Sequence, residues 1–570
     1  MMMWPDQLPA FVPFFLAAAL ALVTRGRVRS VLMIGAVVLS GLHLWLLSSD
    51  ITVSFRFLEY ELTPYRVDKM SLLFGYVFHL AALMSVLFSL HVEDTTQHVS
   101  GLLYAGSAIG AVFAGDLLTL FVFWELLAVT SAFLVWAKRT ERSYQAGMRY
   151  LIIQVLSGVI LLGGIVIHLN TTGSIAFDFI GIDSLGGWLI LIAFGFKAAF
   201  PLLHTWLTDA YPEATSTGTV FLSAFTTKTA IYTLARAYPG TELLIYVGAT
   251  MACFPIFYAV IQNDLRRVLS YSLINQLGFM VCGIGIGTAL AVNGAVAHAF
   301  VHIIYKSLLF MSMGAVLYMT GKIKATDIGG LYKTMPKTAI LCIIGAASIS
   351  AFPLFSGFVA KSLIMAAALK EGYEWIWLVL LLASAGVLKH AGIQIPYFAF
   401  FAHDSGIRTS EPPRNMLLAM TIAAFFCLAI GIYPAMLYRL LPFDVAYSPY
   451  DLTHVLAQTQ LLFFAMLAFV WLNIQGVYPP EVRAVNVDAE WFYRKLFRRI
   501  SASLFGWLWR TDTDFRKWAL KKIDDITVYF AKIHSSTSGK ASIIRPTGYM
   551  VIWVAILLAA YLWLLLSFPH

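Results

Sequence analysis

Residues 291–310 read AVNGAVAHAFVHIIYKSLLF, a stretch long enough to cross a bilayer as a helix and apolar at most positions. It nevertheless carries His298, His302 and Lys306, spaced four residues apart. At helical periodicity that spacing stacks all three on one face. Each ionisable group at the centre of a membrane helix costs several kcal/mol, roughly 2.5 to 3.5 on insertion scales, so three in register call for a function. A single histidine here would read as a hydrogen-bonded core residue. Three groups in register read as a proton ladder, because imidazole titrates near neutrality.

The rest of the chain is written in the same way. Of 570 residues, 60% are hydrophobic and 12% charged, and the mean hydropathy is +0.78. That composition belongs in lipid. Apolar stretches of spanning length recur from residue 7 to residue 567, about sixteen of them. The expected fold is an all-α polytopic membrane protein with about 16 transmembrane helices. The first stretch follows no basic segment and precedes no small-residue cleavage site, so a retained helix is expected. Cys253, Cys282, Cys342 and Cys427 all fall in apolar stretches without CxxC spacing. They read as small core residues, with no disulfide, metal or iron–sulfur cluster expected.

Two spans are interrupted, one by Pro201 in FGFKAAFPLLHTW (194–206) and one by Pro353 with Gly357 in SAFPLFSGFVAK (350–361). A broken helix in lipid must be covered by protein or line a polar cavity. Breaks at corresponding places in two halves point to an inverted repeat with ion sites at the repeat interface. A simple proline kink is the alternative, and a lysine beside each break weighs against it.

Further charges lie deep in apolar runs. Glu125 sits alone in LLTLFVFWELLAVTSAFLVW (117–136), Lys197 precedes the first break, Lys228 lies in FLSAFTTKTAIYTLAR (221–236), and Lys361 follows the second break. A buried lysine keeps its proton while a carboxylate is near and releases it when that counter-charge moves, so Glu125 with Lys197 reads as a switch. Lys228 and the Lys306–His302 face would carry the proton along the midplane to Lys361. Secondary candidates are Lys389 and His390 in SAGVLKHAGIQ (384–394), which also read as edge charges, together with Asp116 and His204.

The net charge of +9 does not signal nucleic acid. With the spans threaded in alternation, 28 of the 39 basic residues fall on one side, six on the other and five within spans. By the positive-inside rule both termini lie outside. Between residues 485 and 535, Phe492, Leu496, Ile500, Leu504 and Leu508 recur every four positions, with Arg494, Lys495, Arg498 and Lys517 on other faces. This reads as one or two amphipathic helices on the cytoplasmic surface, either an anchor or a coupling element.

The segments FVFWELL (121–127), GFKAAFPLLHTWLTDAYPEATSTGTVFLSAFTTKTAIYTLAR (195–236), NDLRRVLSYSLINQLGF (263–279), HAFVHIIYKSLLF (298–310) and FPLFSGFVAKS (352–362) closely resemble the antiporter-like proton-translocating subunits. These occur in respiratory complex I, membrane-bound hydrogenases and Mrp-type cation/proton antiporters. The resemblance covers about residues 70–430. It implies that Glu125 is the family's fifth-helix glutamate, Lys197 its seventh-helix lysine and Lys228 its eighth-helix lysine. It also implies that His302 with Lys306 form the eleventh-helix relay, and that Lys361 is the exit residue.

PEATSTGTVFLSAFTTKTAIYTLAR, AFFAHDSGIR (399–408) and DAEWFYRK (488–495) look most like the D-type subunits of Mrp antiporters. One departure is Gln394, near which that subfamily leads us to expect a lysine; this chain has Lys389 instead. The tail resembles the surface helix and final span of the largest complex I antiporter-like subunit. The implied organisation is N-terminal helices over 1–98, a core of two inverted five-helix repeats over 99–436, an added helix over 437–480, a surface segment over 481–546 and a terminal helix over 547–570.

The resemblance implies a subunit of a multi-subunit Na⁺/H⁺ antiporter in the bacterial inner membrane, partnered by other subunits and the bilayer and carrying no cofactor. The alternative is a membrane-arm subunit of a redox-driven pump. A non-transporting scaffold is the third reading, and the complete set of charged positions argues against it. No phosphate loop, dinucleotide fingerprint or nucleophile elbow supports a soluble enzyme.

Overall fold

A computed structural model describes residues 8–47, 50–476, 486, 488–534 and 547–567. Parts of the expected linkers, between 477 and 487 and over 535–546, lie outside the described residues. The chain divides into two units, Met1–Asp488 and Ala489–His570.

The first unit is helical apart from one hairpin. It begins with α1 (Val12–Val23) and α2 (Gly26–Leu46), then β1 (Ile51–Phe57) and β2 (Tyr60–Val67), which pair antiparallel. This hairpin adds a small sheet to an otherwise all-α architecture. There follow α3 (Lys69–Ser89), α4 (Thr95–Phe113), α5 (Leu117–Trp136), α6 (Glu141–Thr172), α7 (Leu185–Ala198), α8 (Thr205–Ala210), α9 (Gly218–Ala224) and α10 (Thr226–Ala237). After these come α11 (Leu243–Ile261), α12 (Leu265–Ile286), α13 (Ala289–Thr320), α14 (Pro336–Ile349), α15 (Ser356–Lys370), α16 (Glu374–Phe401), α17 (Arg414–Ile432) and α18 (Leu452–Ile474). Ten helices among the described residues are by themselves long and apolar enough to cross a membrane.

Local chemistry sets the helix ends. Asp68 and Thr140 start α3 and α6 with reciprocal capping boxes to Ser71 and Ser143. Gly173 and Gly321 end α6 and α13 in the left-handed region, at φ 71° and 69°. The loops between helices are tied together at each end of the bundle. At the hairpin face, Arg236 pairs with Asp68 at 2.6 Å and Arg66 with Asp178 at 2.9 Å. Burial works against the Asp68 carboxylate, yet Arg236, the Ser71 N–H and Arg66 together hold it below the usual range. At the opposite face, Arg149 meets Asp209 at 2.7 Å and Lys138 meets Glu213 at 3.1 Å.

The core is built around α13. Its side chains from Ala291 to Val316 are buried on every face, and α3, α9, α10, α12, α14, α15 and α17 pack around it. A helix apolar all round is one enclosed by others.

Both proline interruptions are real breaks, and they share one geometry. Each carries the tetrapeptide AFPL, at 199–202 and 351–354. Ala199 and Leu202 have φ of 61° and 69°; Ala351 and Leu354 have 58° and 71°. The Phe200 N–H donates to Gly195 O at 3.0 Å, and the Phe352 N–H to Ala347 O at 3.1 Å. The Ala199 and Ala351 N–H groups donate to Phe196 O and Ser348 O. This is the Schellman pattern of hydrogen bonds, with alanine where glycine is usual and proline forbidding continuation. A third interruption, at Phe225 between α9 and α10, contains neither proline nor glycine. There the Thr226 N–H is taken up by the Tyr104 hydroxyl at 3.0 Å.

Helix α16 is irregular in a different way, with π-helical turns over Leu388–Ile393 and Tyr397–Phe401 around Pro396, which has no N–H to give. The pair α11 and α12 packs backbone to backbone, because Gly248 and Gly278 face each other. A methyl on Gly278 would collide with Ala252 N, and one on Gly248 with Cys282 N. Gly278→Val is therefore expected to wedge the pair apart and cost about 2 kcal/mol or more. A fall in the unfolding midpoint of the purified protein checks this; an unchanged midpoint would refute the close packing.

The second unit contains a π-helical turn over Phe492–Phe497, then one continuous 37-residue helix, α19 (Arg498–His534), and α20 (Thr547–Ser567). Ile500, Leu504 and Leu508 of α19 are exposed within the chain, as an interfacial helix requires.

Candidate functional site

The seven principal candidates all lie on the helices surrounding or forming α13. Lys197, Lys228, Lys306, His298 and His302 are fully enclosed, Lys361 is 4% exposed, and Glu125 is half-buried. They group around the breaks, where main-chain carbonyls are left without helical partners.

Lys197, in the last turn of α7, donates from Nζ to Trp124 O at 2.5 Å and lies 4.4 Å from the centre of the Trp124 ring. Glu125 is the next residue, and its charge acts directly on Lys197. Its carboxylate faces Gly158 of α6, and a methyl at that position would overlap it. Glu125 also borders an exposed apolar stripe of α5 formed by Val122, Leu126, Val129 and Phe133. If the pair acts as a switch, Gly158→Ala should displace the carboxylate and lower ion flux on the order of tenfold, the scale of a misplaced reacting group. Flux unchanged in Gly158→Ala vesicles would show that the Glu125 position does not matter.

Lys228, in the first turn of α10, donates to Ser223 O at 2.5 Å, a carbonyl freed by the Phe225 break. Lys361, in the second turn of α15, donates to Ile349 O at 2.9 Å, a carbonyl freed by the second proline break. Three lysines thus rest on main-chain carbonyls. A carbonyl accepts from an ammonium and from an amine alike, so it holds the side chain without dictating its charge.

Along α13 the stacking expected from the spacing is present. The rings of His298 and His302 lie 6.2 Å apart, and His302 meets Tyr305 at 5.3 Å. His298 Nε2 is within 3.1 Å of Gln276 Oε1 and 2.9 Å of the Tyr305 hydroxyl. Both ring nitrogens of His302, and Nζ of Lys306, have no hydrogen-bond partner among the described residues. The charges of Lys228, Lys306 and Lys361 all reach His302.

Of the secondary candidates, His390 belongs with this group. It is fully buried in the π-helical turn of α16, neither ring nitrogen has a partner among the described residues, and the charges of Lys306, Lys361 and Lys389 act on it. Lys389 is half-buried beside it. Gln394 is also fully buried, with both amide atoms unpartnered among the described residues. Asp116 stands apart: it caps α5 through the Thr119 N–H at 2.7 Å and accepts the Thr63 N–H of the hairpin at 2.7 Å. His204, just past the first break, is bonded at 2.9 Å to Asp488, which also accepts from the Tyr271 hydroxyl at 2.8 Å.

Sequence reasoning passed over several polar residues of this layer. Gln276 and Tyr305 hold His298, and Tyr104 and Thr226 bond each other at 2.6 Å beside Lys228. Gln154 of α6 is fully buried, its amide unpartnered among the described residues. It lies one turn from Tyr150 and one from Gly158, on the same face, between the Glu125–Lys197 pair and the Tyr104–Tyr150 cluster. An amide in an apolar span was the available signal. Buried polar atoms without protein partners are rare outside functional sites and call for water or an exchanging proton.

Broken helices enclosing a buried line of lysines and histidines define the antiporter-like membrane subunits. Residues 114–388 match the family described as NADH:quinone oxidoreductase/Mrp antiporter, TM. Over that core the chain belongs to this family.

A relative, the D-type subunit of the Na(+)/H(+) antiporter of Alkalihalophilus pseudofirmus, is 33% identical over 285 residues, 46% of this chain and 58% of the relative. The chain thus spans somewhat over half the length of that protein. A putative antiporter subunit mnhD2 of Staphylococcus aureus is 27% identical over 345 residues, 57% of this chain and 69% of the relative. Among solved structures, the Mrp complex from a Dietzia species superposes with a TM-score of 0.77 at 22% identity, over 97% of this chain and 66% of the matched one. The membrane-bound sulfane sulfur reductase, an archaeal respiratory membrane complex, gives 0.71 at 21%, over 97% of this chain and 100% of the matched one. These two likenesses establish the fold.

Proposed function

We propose that this chain is the proton-conducting subunit of a multi-subunit monovalent cation/proton antiporter, in which Glu125, Lys197, Lys228, His302, Lys306, His298 and Lys361 pass protons along the membrane midplane. The observation that carries this reading is the nearly continuous succession of buried ionisable side chains through breaks whose free carbonyls hold three of the lysines. An ammonium without a protein partner in such a place must be solvated or give up its proton, which suits Lys306 to receive and hand on. His390 joins the line between Lys306 and Lys361. Gln154 with the tyrosines of α4 and α6 bridges, through water, from Lys197 toward Lys228.

The proposed organisation keeps the core at 99–436, with the flanking helices at 1–98 and 437–480, the surface segment at 481–546 and the last helix at 547–570. The basic face lies toward the cytoplasm of a bacterial inner membrane, with both termini outside. The exposed apolar stripe beside Glu125 is covered by another subunit, since a midplane carboxylate facing lipid is costly. The relatives named as antiporter subunits support Na⁺ as the exchanged ion.

A second reading, a redox-driven proton pump, is favoured by the full-length superposition on a chain of a respiratory complex. One experiment separates them. In everted vesicles carrying the whole complex, the internal pH is followed by fluorescence as Na⁺ is added. Proton release on adding Na⁺ supports the antiporter. No response to Na⁺, with acidification on adding an electron donor, supports the redox pump.

A further inference from the structure

The line of ionisable groups does not stop at Lys361. With Phe279, Ser362 and Ser384, Lys361 borders a cavity of about 20 Å³ whose other wall is His454 and Gln458 of α18. That is room for one water. A second cavity, of about 320 Å³, shares Ser362, His454 and Gln458 with the first and extends to Tyr447, Asp451 and Thr453. Tyr447 in turn lines a cavity of about 550 Å³ with Lys69, Arg439 and Asp444, at the face of the bundle that bears the hairpin.

Helix α18 is placed firmly enough to form a wall. Gln458 Nε2 donates at 3.3 Å to Ala351 O, the carbonyl of the left-handed residue in the second break. The His454 ring packs on Phe358 at 4.8 Å, and the His454 main-chain N–H is held by Asp451 Oδ1 at 2.8 Å. His454 and Gln458 are one turn apart and so look into the same space. α18 lies beyond the family-matched residues 114–388.

We propose that His454 and Gln458 form an outlet for protons from Lys361 to water at the hairpin face, an inference that rests on the proton-conducting reading above. Lys361 gives one proton from its ammonium to water in the small cavity and becomes an amine. The imidazole of His454 takes that proton and releases one to the outer cavity, and Gln458 positions the water by bridging it to the break.

The test uses the whole complex, with the four cysteines of this chain replaced by alanine and single cysteines introduced. Ser362→Cys, which lines both cavities, should react with a membrane-impermeant thiol reagent added at the hairpin face. Ala360→Cys, buried on the same helix but lining neither cavity, should not. In flux measurements His454→Ala should lower the rate about tenfold or more, the scale of a lost proton carrier. His454→Gln, which keeps hydrogen bonding but carries no proton, should not restore it. Ser362→Cys unreactive from the hairpin face, or His454→Ala at full flux where Lys228→Ala has none, overturns the outlet. Full flux in Lys228→Ala overturns the line itself and the outlet with it, and the thiol reactions then show whether the cavities are open to water regardless.

Discussion

Lys228→Ala should lower Na⁺-driven proton release from vesicles carrying the whole complex by about two orders of magnitude, the scale set by loss of a proton-transfer group, with the complex still assembled. The side chain is fully enclosed and its only described hydrogen bond is to Ser223 O. Its loss therefore removes a carrier between the Glu125–Lys197 pair and the His302–Lys306 face, at the modest structural cost of one unpaired carbonyl. Lys228→Arg sharpens the test. Arginine keeps the charge and the carbonyl contact but does not release its proton at any relevant pH. A role in packing would be rescued by arginine, whereas a role in conduction would not, so full flux in Lys228→Arg vesicles would refute the assignment.

Arg266→Ala should act on stability. In sequence Arg266 counts as one more basic residue at a helix start, yet its side chain is 1% exposed. Its guanidinium donates to Pro212 O, Tyr211 O and Ala214 O, each at 3.1 Å, to Thr215 O at 3.0 Å, and to the Thr219 hydroxyl. No carboxylate is among these partners; one planar fork gathers the carbonyls of the turn from α8 into α9. Truncation strands several buried acceptors together, at a cost of about 3 to 5 kcal/mol. The expected result is a large fall in the unfolding midpoint and in the yield of assembled complex, with Arg266→Lys recovering only part because a point charge cannot reach every carbonyl. A midpoint equal to the parent's would refute the role.

Much of the architecture could be read from residues that lipid makes expensive. Glu125, Lys197, Lys228, Lys306 and Lys361 were visible because charge in an apolar run needs a reason, and the breaks were visible at Pro201 and Pro353 because proline ends a helix. What escaped lacked such a marker. The Phe225 break occurs in FLSAFTTK, where no residue forbids a helix; tertiary contact with Tyr104 makes it. The hairpin over 51–67 is short and polar beside the spans and was overshadowed by them. Arg266 could not be told from a surface charge, since burial is decided by residues some fifty positions away. His454 and Gln458 sit on a helix that reads as a lipid-facing addition, and only the cavities connect them to Lys361.

The twin AFPL breaks carry a further consequence. Backbones alike at both interruptions, related by an inverted repeat, set no direction: a conductor with identical ends would leak equally both ways. The asymmetry has to come from the side chains that dress them. At the first break the Trp206 indole donates to Phe196 O at 2.9 Å, a large apolar stopper on a freed carbonyl. At the second, Gln458 donates to Ala351 O from the wall of a cavity. One end is corked and the other dressed for water, so the molecule is a rectifier whose polarity is written in a handful of side chains rather than in its fold.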